Sequence, residues 1–322
     1  MAEAATLAQP TAPRFAALPP LALYAHIPWC LKKCPYCDFN SHERRGSELP
    51  EARYVDALMA DLEFALPSIW GRRVGSIFFG GGTPSLFSAA SIDRALAGIR
   101  ARVSVAPDAE ITLEANPGTF EQAKFAGFRE AGVNRLSIGI QSFDPKHLKA
   151  LGRVHDEREA HAAAAAALTI FDNVNFDLMY ALPGHECRHN LNYWRFGDYL
   201  GIGAGAHSKV SFPERVLRQI RYKQPERYLE QVERGAPLIE EREVTRDEIG
   251  FEFMLNALRL TDGVPAALFS ERTGFPIMLL RKELDEAERR GLLERDHQRI
   301  RPTALGRRFL NDLQAIFLRA AA

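Results

Sequence analysis

Strand and helix patterns alternate through the first half of the chain, and this alternation restricts the fold more than any other feature of the sequence. Short apolar runs at residues 21–27, 76–79, 110–115, 135–140 and 173–180 read as strands. Helical patterns lie between them. Pro50 opens one with Tyr54, Leu58, Leu62 and Leu66 on its apolar face. A second turns Ile92, Leu96 and Ile99 inward, and Thr119 with Gln122 reads as the capping box of a third. Asp144-Pro145 begins another, and an Ala-rich helix covers about 157–170. Repeated units of this kind predict a parallel sheet, wound flat or closed into a barrel. Each strand runs into a polar or Gly-rich segment: Gly80-Gly81-Gly82-Thr83-Pro84, Asn116-Pro117-Gly118, Gln141-Ser142, Leu182-Pro183-Gly184. Parallel sheets place their sites at these strand ends.

After Lys209 the character changes. Charged sequence over 214–243 reads as helical, and Thr245 with Glu248 forms a capping box before a helix carrying Ile249, Phe253 and Leu260. Residues 265–318 read as short helices and a turn, so 211–322 is expected to be a separate, mainly helical domain of winged-helix-like form. Its arginines (Arg299, Arg301, Arg307, Arg308) would suit DNA, but a solvated charged face is the ordinary reading. Lys plus Arg and Asp plus Glu both number 41, and this neutral balance argues against general nucleic-acid binding. Residues 1–20 read as a disordered Ala- and Pro-rich tail without the apolar block of a secretory signal, although its few acidic residues leave organelle targeting open. No apolar run reaches the length of about 18 residues that spans a bilayer. A cytoplasmic protein is expected.

The chain has four cysteines, too few for a disulfide scaffold, and three of them stand at Cys30, Cys34 and Cys37. In a reducing compartment clustered thiols favour metal over disulfide. The spacing C-x3-C-x2-C lets the three converge. Structural zinc would need a fourth protein ligand, for which His42 stands nearest. An iron–sulfur cube is the other solution: three thiolates hold three irons and the fourth iron keeps an open position. Lys32 and Lys33 would offset part of its negative charge.

The cysteine pattern after a first strand resembles the radical S-adenosylmethionine (SAM) superfamily. The wider resemblance is to the HemW family of haem chaperones, relatives of the oxygen-independent coproporphyrinogen III oxidase HemN. It rests on His26-Ile27-Pro28-Trp29-Cys30, Cys37-Asp38-Phe39-Asn40-Ser41, Gly80-Gly81-Gly82-Thr83-Pro84-Ser85, Glu114-Ala115-Asn116-Pro117-Gly118 and Ser137-Ile138-Gly139-Ile140-Gln141-Ser142-Phe143. Leu151-Gly152-Arg153, Asp177-Leu178-Met179, His189-Asn190-Leu191-Asn192-Tyr193-Trp194 and Gly201-Ile202-Gly203-Ala204-Gly205-Ala206-His207 continue it, in the family's order, across about residues 21–320. The resemblance implies a radical SAM partial (β/α) barrel over 21–210 and a HemN-type domain over 211–322.

It also implies cofactors and roles. Cys30, Cys34 and Cys37 would hold a [4Fe–4S] cluster that reduces SAM and cleaves it to a 5′-deoxyadenosyl radical. Gly81, Gly82 and Thr83 would receive the amino-acid end of SAM, since glycine lets backbone N–H groups approach a ligand. Tyr24, Tyr36, Glu114, Gln141, Arg153 and Asp177 would complete the SAM site. His189, Asn190 and Tyr193 match the pattern associated with haem, with His189 as an iron ligand; Cys187 could offer a thiolate instead. Haem and acceptor haemoproteins, among them respiratory enzymes, are the implied partners, and a homodimer is compatible. Phe39 stands where the oxidase carries a further cysteine, which favours haem handling over porphyrinogen decarboxylation. Three functions are carried forward: haem chaperone, coproporphyrinogen oxidase, and an inactive cluster-bearing remnant.

Two other motifs compete. His185-Glu186-Cys187-Arg188-His189 fits the zinc-protease signature, which needs both histidines on one helical face, yet Pro183-Gly184 and an Asn-rich stretch flank it. Gly201-x-Gly203-x-x-Ala206 fits a dinucleotide loop but lacks a following helix. Finally, Leu182-Pro183-Gly184 runs directly into His185, where family members have further strand–helix units. Residues 185–198 carry no apolar helical stripe and read as a poor crossover. An internal deletion near 184/185 is therefore expected, with weaker SAM binding as its consequence.

Overall fold

The computed structural model of the chain describes residues 12–34, 37–44, 48–118, 122–178 and 188–318, and of Arg188 and His189 the backbone alone. Tyr36, Thr119, Cys187 and the 184/185 junction lie outside the described residues.

One mixed sheet organises the larger part of the molecule. Its parallel strands are β1 (Leu21–Ile27), β2 (Arg73–Gly81), β3 (Ser104–Ala115), β4 (Arg135–Gln141) and β5 (Val174–Leu178). Then come β6 (Asp198–Ile202), β7 (His207–Phe212), β8 (Arg215–Arg221) and β9 (Leu238–Glu243). The order across the sheet is β9-β8-β7-β6-β1-β2-β3-β4-β5. Strand β6 lies parallel to β1, with Leu21 opposite Asp198 and Ala25 opposite Ile202, whereas β7, β8 and β9 follow as an antiparallel meander. The sheet is open, as a partial barrel requires, and β5 and β9 form its two edges among the described residues.

The crossovers are the helices α1 (Glu51–Ile69), α2 (Ala89–Arg102), α3 (Phe125–Glu130), α4 (Pro145–Ala150) and α5 (Glu157–Ile170). Their starts follow local chemistry. Ser88 caps α2 by accepting from the Ser91 N–H, and Asp156 with Glu159 forms a capping box on α5. Alanines 160, 163 and 167 of α5 are fully buried, and their small size lets the helix lie close to the sheet. Strand β1 is buried at every position but Tyr24, as a strand covered on both faces must be.

The structure corrects three expectations. Residues 185–198 were expected to lack a helix, yet α6 (Arg188–Trp194) leads into β6. Asn192 is structural there: it donates to the Asp198 carbonyl at 2.7 Å. Residues 214–243 were expected to be helical, yet they form β8 and β9 with only α7 (Pro225–Glu233) between them. Two charges of this stretch are paired across the fold, Arg221 with Asp61 and Arg218 with Glu252. Because β8 and β9 belong to the main sheet, the second domain begins near Val244 rather than at residue 211.

That second domain holds α8 (Arg246–Ala257), α9 (Ala266–Thr273) and α10 (Arg281–Arg289) around Phe253, Phe269 and Leu284, with a three-stranded antiparallel sheet made by 264–265, 293–295 and 299–302. Short strands thus accompany the short helices expected over 265–318. Its arginines are engaged locally: Arg301 pairs with Glu294 at 2.5 Å, and Arg299 donates to the Asp262 carbonyl at 2.7 Å.

Candidate functional site

The ends of β2, β3, β4 and β5 meet the cysteine loop around one cavity of about 130 Å³. Cys30, Cys34 and Cys37 line it, together with Gly81, Gly82, Thr83, Glu114, Asn116, Gln141, Arg153 and Asp177. Of the described residues expected at the SAM site, only Tyr24 falls outside this cavity. It lines an adjoining one of about 670 Å³, where its hydroxyl donates to His26 Nδ1 at 3.0 Å. Phe39, Ser41, Gly81 and Glu114 line both cavities, so the two form a continuous recess.

The loop is held from below by β1. His26 Nε2 donates to the Asn40 carbonyl at 2.8 Å, and burial pushes the imidazole down to about 4, so it stays neutral. Gly81, with φ at 121°, leaves room for that ring: a Cβ there would lie 2.5 Å from it. Asn40 reaches across to the turn after β6, donating to the carbonyls of Ala204 at 2.9 Å and Lys223 at 3.0 Å.

Arg153 ties the upper wall together. Its guanidinium donates to the Gly139 carbonyl at 2.6 Å, to Asn116 at 2.7 Å and to the Cys34 sulfur at 3.5 Å. Its Nε is buried without a hydrogen-bond partner among the described residues. Asn116 in turn donates to the Thr83 hydroxyl at 2.9 Å. Gln141 takes a φ of 65°, a strained conformation for a residue with a side chain, at the point where β4 enters the cavity. Glu114 accepts the Gly81 N–H at 3.1 Å, and burial pushes its carboxyl up to about 8, with Asp177 adding to the shift. Asp177 was expected inside an apolar strand; it is exposed on β5 and accepts from Asn175 and Ser137.

The donor set fits an iron–sulfur cube better than zinc. No group of three or more His, Cys, Asp or Glu side chains among the described residues is arranged around a single ion. A cube needs no such convergence, because each thiolate binds its own iron. His42, the fourth ligand a zinc site would require, faces the larger cavity and donates to Asn40 Oδ1 at 3.1 Å.

Asn190 and Tyr193 line the larger cavity, while the side chain of His189 lies outside the described atoms. Of the protease motif only Arg188 and His189 fall among the described residues, both in α6. The Gly201–Ala206 motif is a turn between two strands, not a strand-to-helix loop, and does not make a dinucleotide site. Asn40, Asn116 and Asp61 were missed as functional positions; the first two lie within the motifs quoted above, and only their place after a strand could have marked them.

Comparison with known proteins accords with this geometry. Residues 24–187 match the radical SAM superfamily and residues 244–309 match the HemN C-terminal domain. The chain is 39% identical over 378 residues to the haem chaperone HemW of Escherichia coli, covering 94% of this chain and 99% of that one. Identity to the Haemophilus influenzae haem chaperone HemW is 37% over 382 residues, covering 94% and 98%. Among solved structures, the coproporphyrinogen III oxidase HemN of Escherichia coli superposes with a TM-score of 0.75 over 93% of this chain and 90% of that one, at 22% identity, which shows the shared fold. An alignment of 378 positions that draws on 94% of a 322-residue chain contains many positions where the relative has a residue and this chain has none. The match nevertheless runs through both domains, and the chain belongs to the radical SAM superfamily and, within it, to the HemW family.

Proposed function

We propose that this protein is a haem chaperone that carries a [4Fe–4S] cluster on Cys30, Cys34 and Cys37, binds SAM beside it, and binds haem for delivery to acceptor haemoproteins. The observation that carries this reading is the recess itself: three thiols at the strand ends, opening without a break into a larger aromatic-walled cavity. When bound, the cluster supplies the electron that cleaves SAM. The chain's own groups do the rest. Gly81, Gly82 and Thr83 offer close backbone approach for the methionine end of SAM, and Gln141, Arg153 and Asp177 supply polar groups around it. Glu114, held neutral until a cation approaches, would become the carboxylate facing the amino group. Phe39, 65% exposed, lines both cavities where they meet. Haem would lie in the larger cavity against Asn190 and Tyr193, beside His189 on the same helix.

Anaerobic reconstitution with iron and sulfide tests the cluster. Wild-type protein is expected to show the iron content and charge-transfer absorption of a four-iron cluster, and Cys30→Ala, Cys34→Ala and Cys37→Ala each to lose it. Haem titration then separates chaperone from oxidase, with product analysis on coproporphyrinogen III as the contrasting assay. Decarboxylation by the reconstituted protein without stable haem binding would overturn the reading.

A further inference from the structure

Two groups on the wall of the larger cavity have no partner among the described residues. His207, the first residue of β7, makes no hydrogen bond through its ring, in contrast to His26 and His42, whose rings are engaged by Tyr24 and Asn40. Lys223, just after β8, makes no ion pair, whereas Lys33 in the same cavity donates to the Ser41 carbonyl at 3.1 Å. Both are exposed and both face one recess of about 670 Å³. The volume falls in the range of about 300–1,000 Å³ typical of sites for organic ligands.

The rest of the wall is suited to a flat aromatic molecule. Tyr24 and Phe78 stack with ring centroids 6.1 Å apart, and Tyr193 meets Tyr199 edge-on at 4.2 Å. Tyr199 is fixed from behind by the Arg218 guanidinium, which Glu252 holds at 2.6 Å. A planar apolar body, a central metal that accepts imidazole and a peripheral carboxylate are the three features this wall would recognise together.

Resting on the haem-binding reading above, we propose that His207 is a ligand of the haem iron and that Lys223 pairs with a propionate. Partial burial and the neighbouring Lys223 and Arg218 hold the His207 imidazole below its ordinary range, so it is present in the neutral, ligating form. Ligation from β7 sets the haem beside the turn that Asn40 grips, and so beside the cysteine loop.

The test is titration of full-length protein with ferric haem and, separately, with metal-free protoporphyrin, which keeps the propionates and lacks the iron. His207→Ala is expected to weaken haem at least tenfold and to change its Soret spectrum, while leaving protoporphyrin affinity unchanged. Lys223→Gln is expected to weaken both ligands several-fold without altering the haem spectrum. Since both side chains are exposed, circular dichroism should show each variant folded. If wild type binds haem and His207→Ala keeps the wild-type affinity and spectrum, the ligand assignment is wrong while the haem-binding reading stands. If wild type binds no haem, both fall.

Discussion

Asp61 and Arg221 form an ion pair at 2.9 Å in which neither side chain has any solvent exposure. The same carboxylate accepts the Tyr228 hydroxyl at 2.8 Å and the Gly203 N–H at 3.1 Å. Helix α1, strand β8, helix α7 and the turn after β6 are thereby joined at one point. Beside it, the Tyr54 hydroxyl donates to the His26 carbonyl at 2.8 Å and accepts the Ala204 N–H at 2.9 Å. A buried charge loses its hydration and must be repaid by its partner, so removing one member leaves the other stranded. Asp61→Ala is expected to cost about 3–5 kcal/mol. Urea unfolding checks this, and an unchanged midpoint would contradict it.

Asn40 transmits that rigidity to the cysteine loop. Its amide donates to Ala204 and Lys223, its Oδ1 accepts from His42 and its carbonyl accepts from His26. Asn40→Ala removes the side-chain bonds and keeps the backbone one. The loop should open locally at a cost lower by about 1–3 kcal/mol, from two or three hydrogen bonds of about 1 kcal/mol each. Hydrogen exchange across 37–44 should quicken while the global melting temperature moves little. A reconstituted cluster should be lost several-fold faster. Unchanged exchange in the loop would show that Asn40 is not its anchor.

These two residues also mark where sequence reading reaches its end. The alternation of β1 to β5 with α1 to α5 was legible because period-2 and period-3.6 patterns are local, and the Ala-rich run even gave the bounds of α5. The cysteines and the Gly81–Thr83 turn were legible because their chemistry needs those residue types. The charged stretch holding Arg218 and Arg221 was misread as helical, because the partners that fix it in the sheet, Glu252 and Asp61, lie far away in the chain. Asn40 was passed over for the same reason: its acceptors lie 164 and 183 residues away.

Glu114 gives a prediction in pH. Burial places its folded value at about 8, against an ordinary carboxyl value of 4.5. Between those values the folded chain keeps a proton that the unfolded chain has released. The group's contribution to stability therefore falls as pH rises from about 4.5 to 8 and is level above. Glu114→Gln removes this slope, so its melting temperature relative to wild type should rise with pH, by roughly 10 °C between pH 5 and pH 8 at about 1.4 kcal/mol per pH unit and about 2–4 °C per kcal/mol. Parallel melting curves across that range would show that the carboxyl is already ionised.

The free outer edge of the sheet bears on SAM. Strand β5 has no strand on its far side among the described residues, and its Asp177, one wall of the cysteine cavity, is exposed. Hydrogen bonds from Ser137 and Asn175 orient that carboxylate, but water competes for it. The Escherichia coli relative has residues at many interior positions where this chain has none. A site closed on that side would exclude water and strengthen each polar contact to the ligand. With both proteins reconstituted alike, calorimetry is expected to show SAM binding to this chain at least tenfold more weakly than to that relative, a difference of about 1.4 kcal/mol. Equal affinities would mean that the four strand ends from β2 to β5 and the cysteine loop make the whole site, and that the open edge is no handicap.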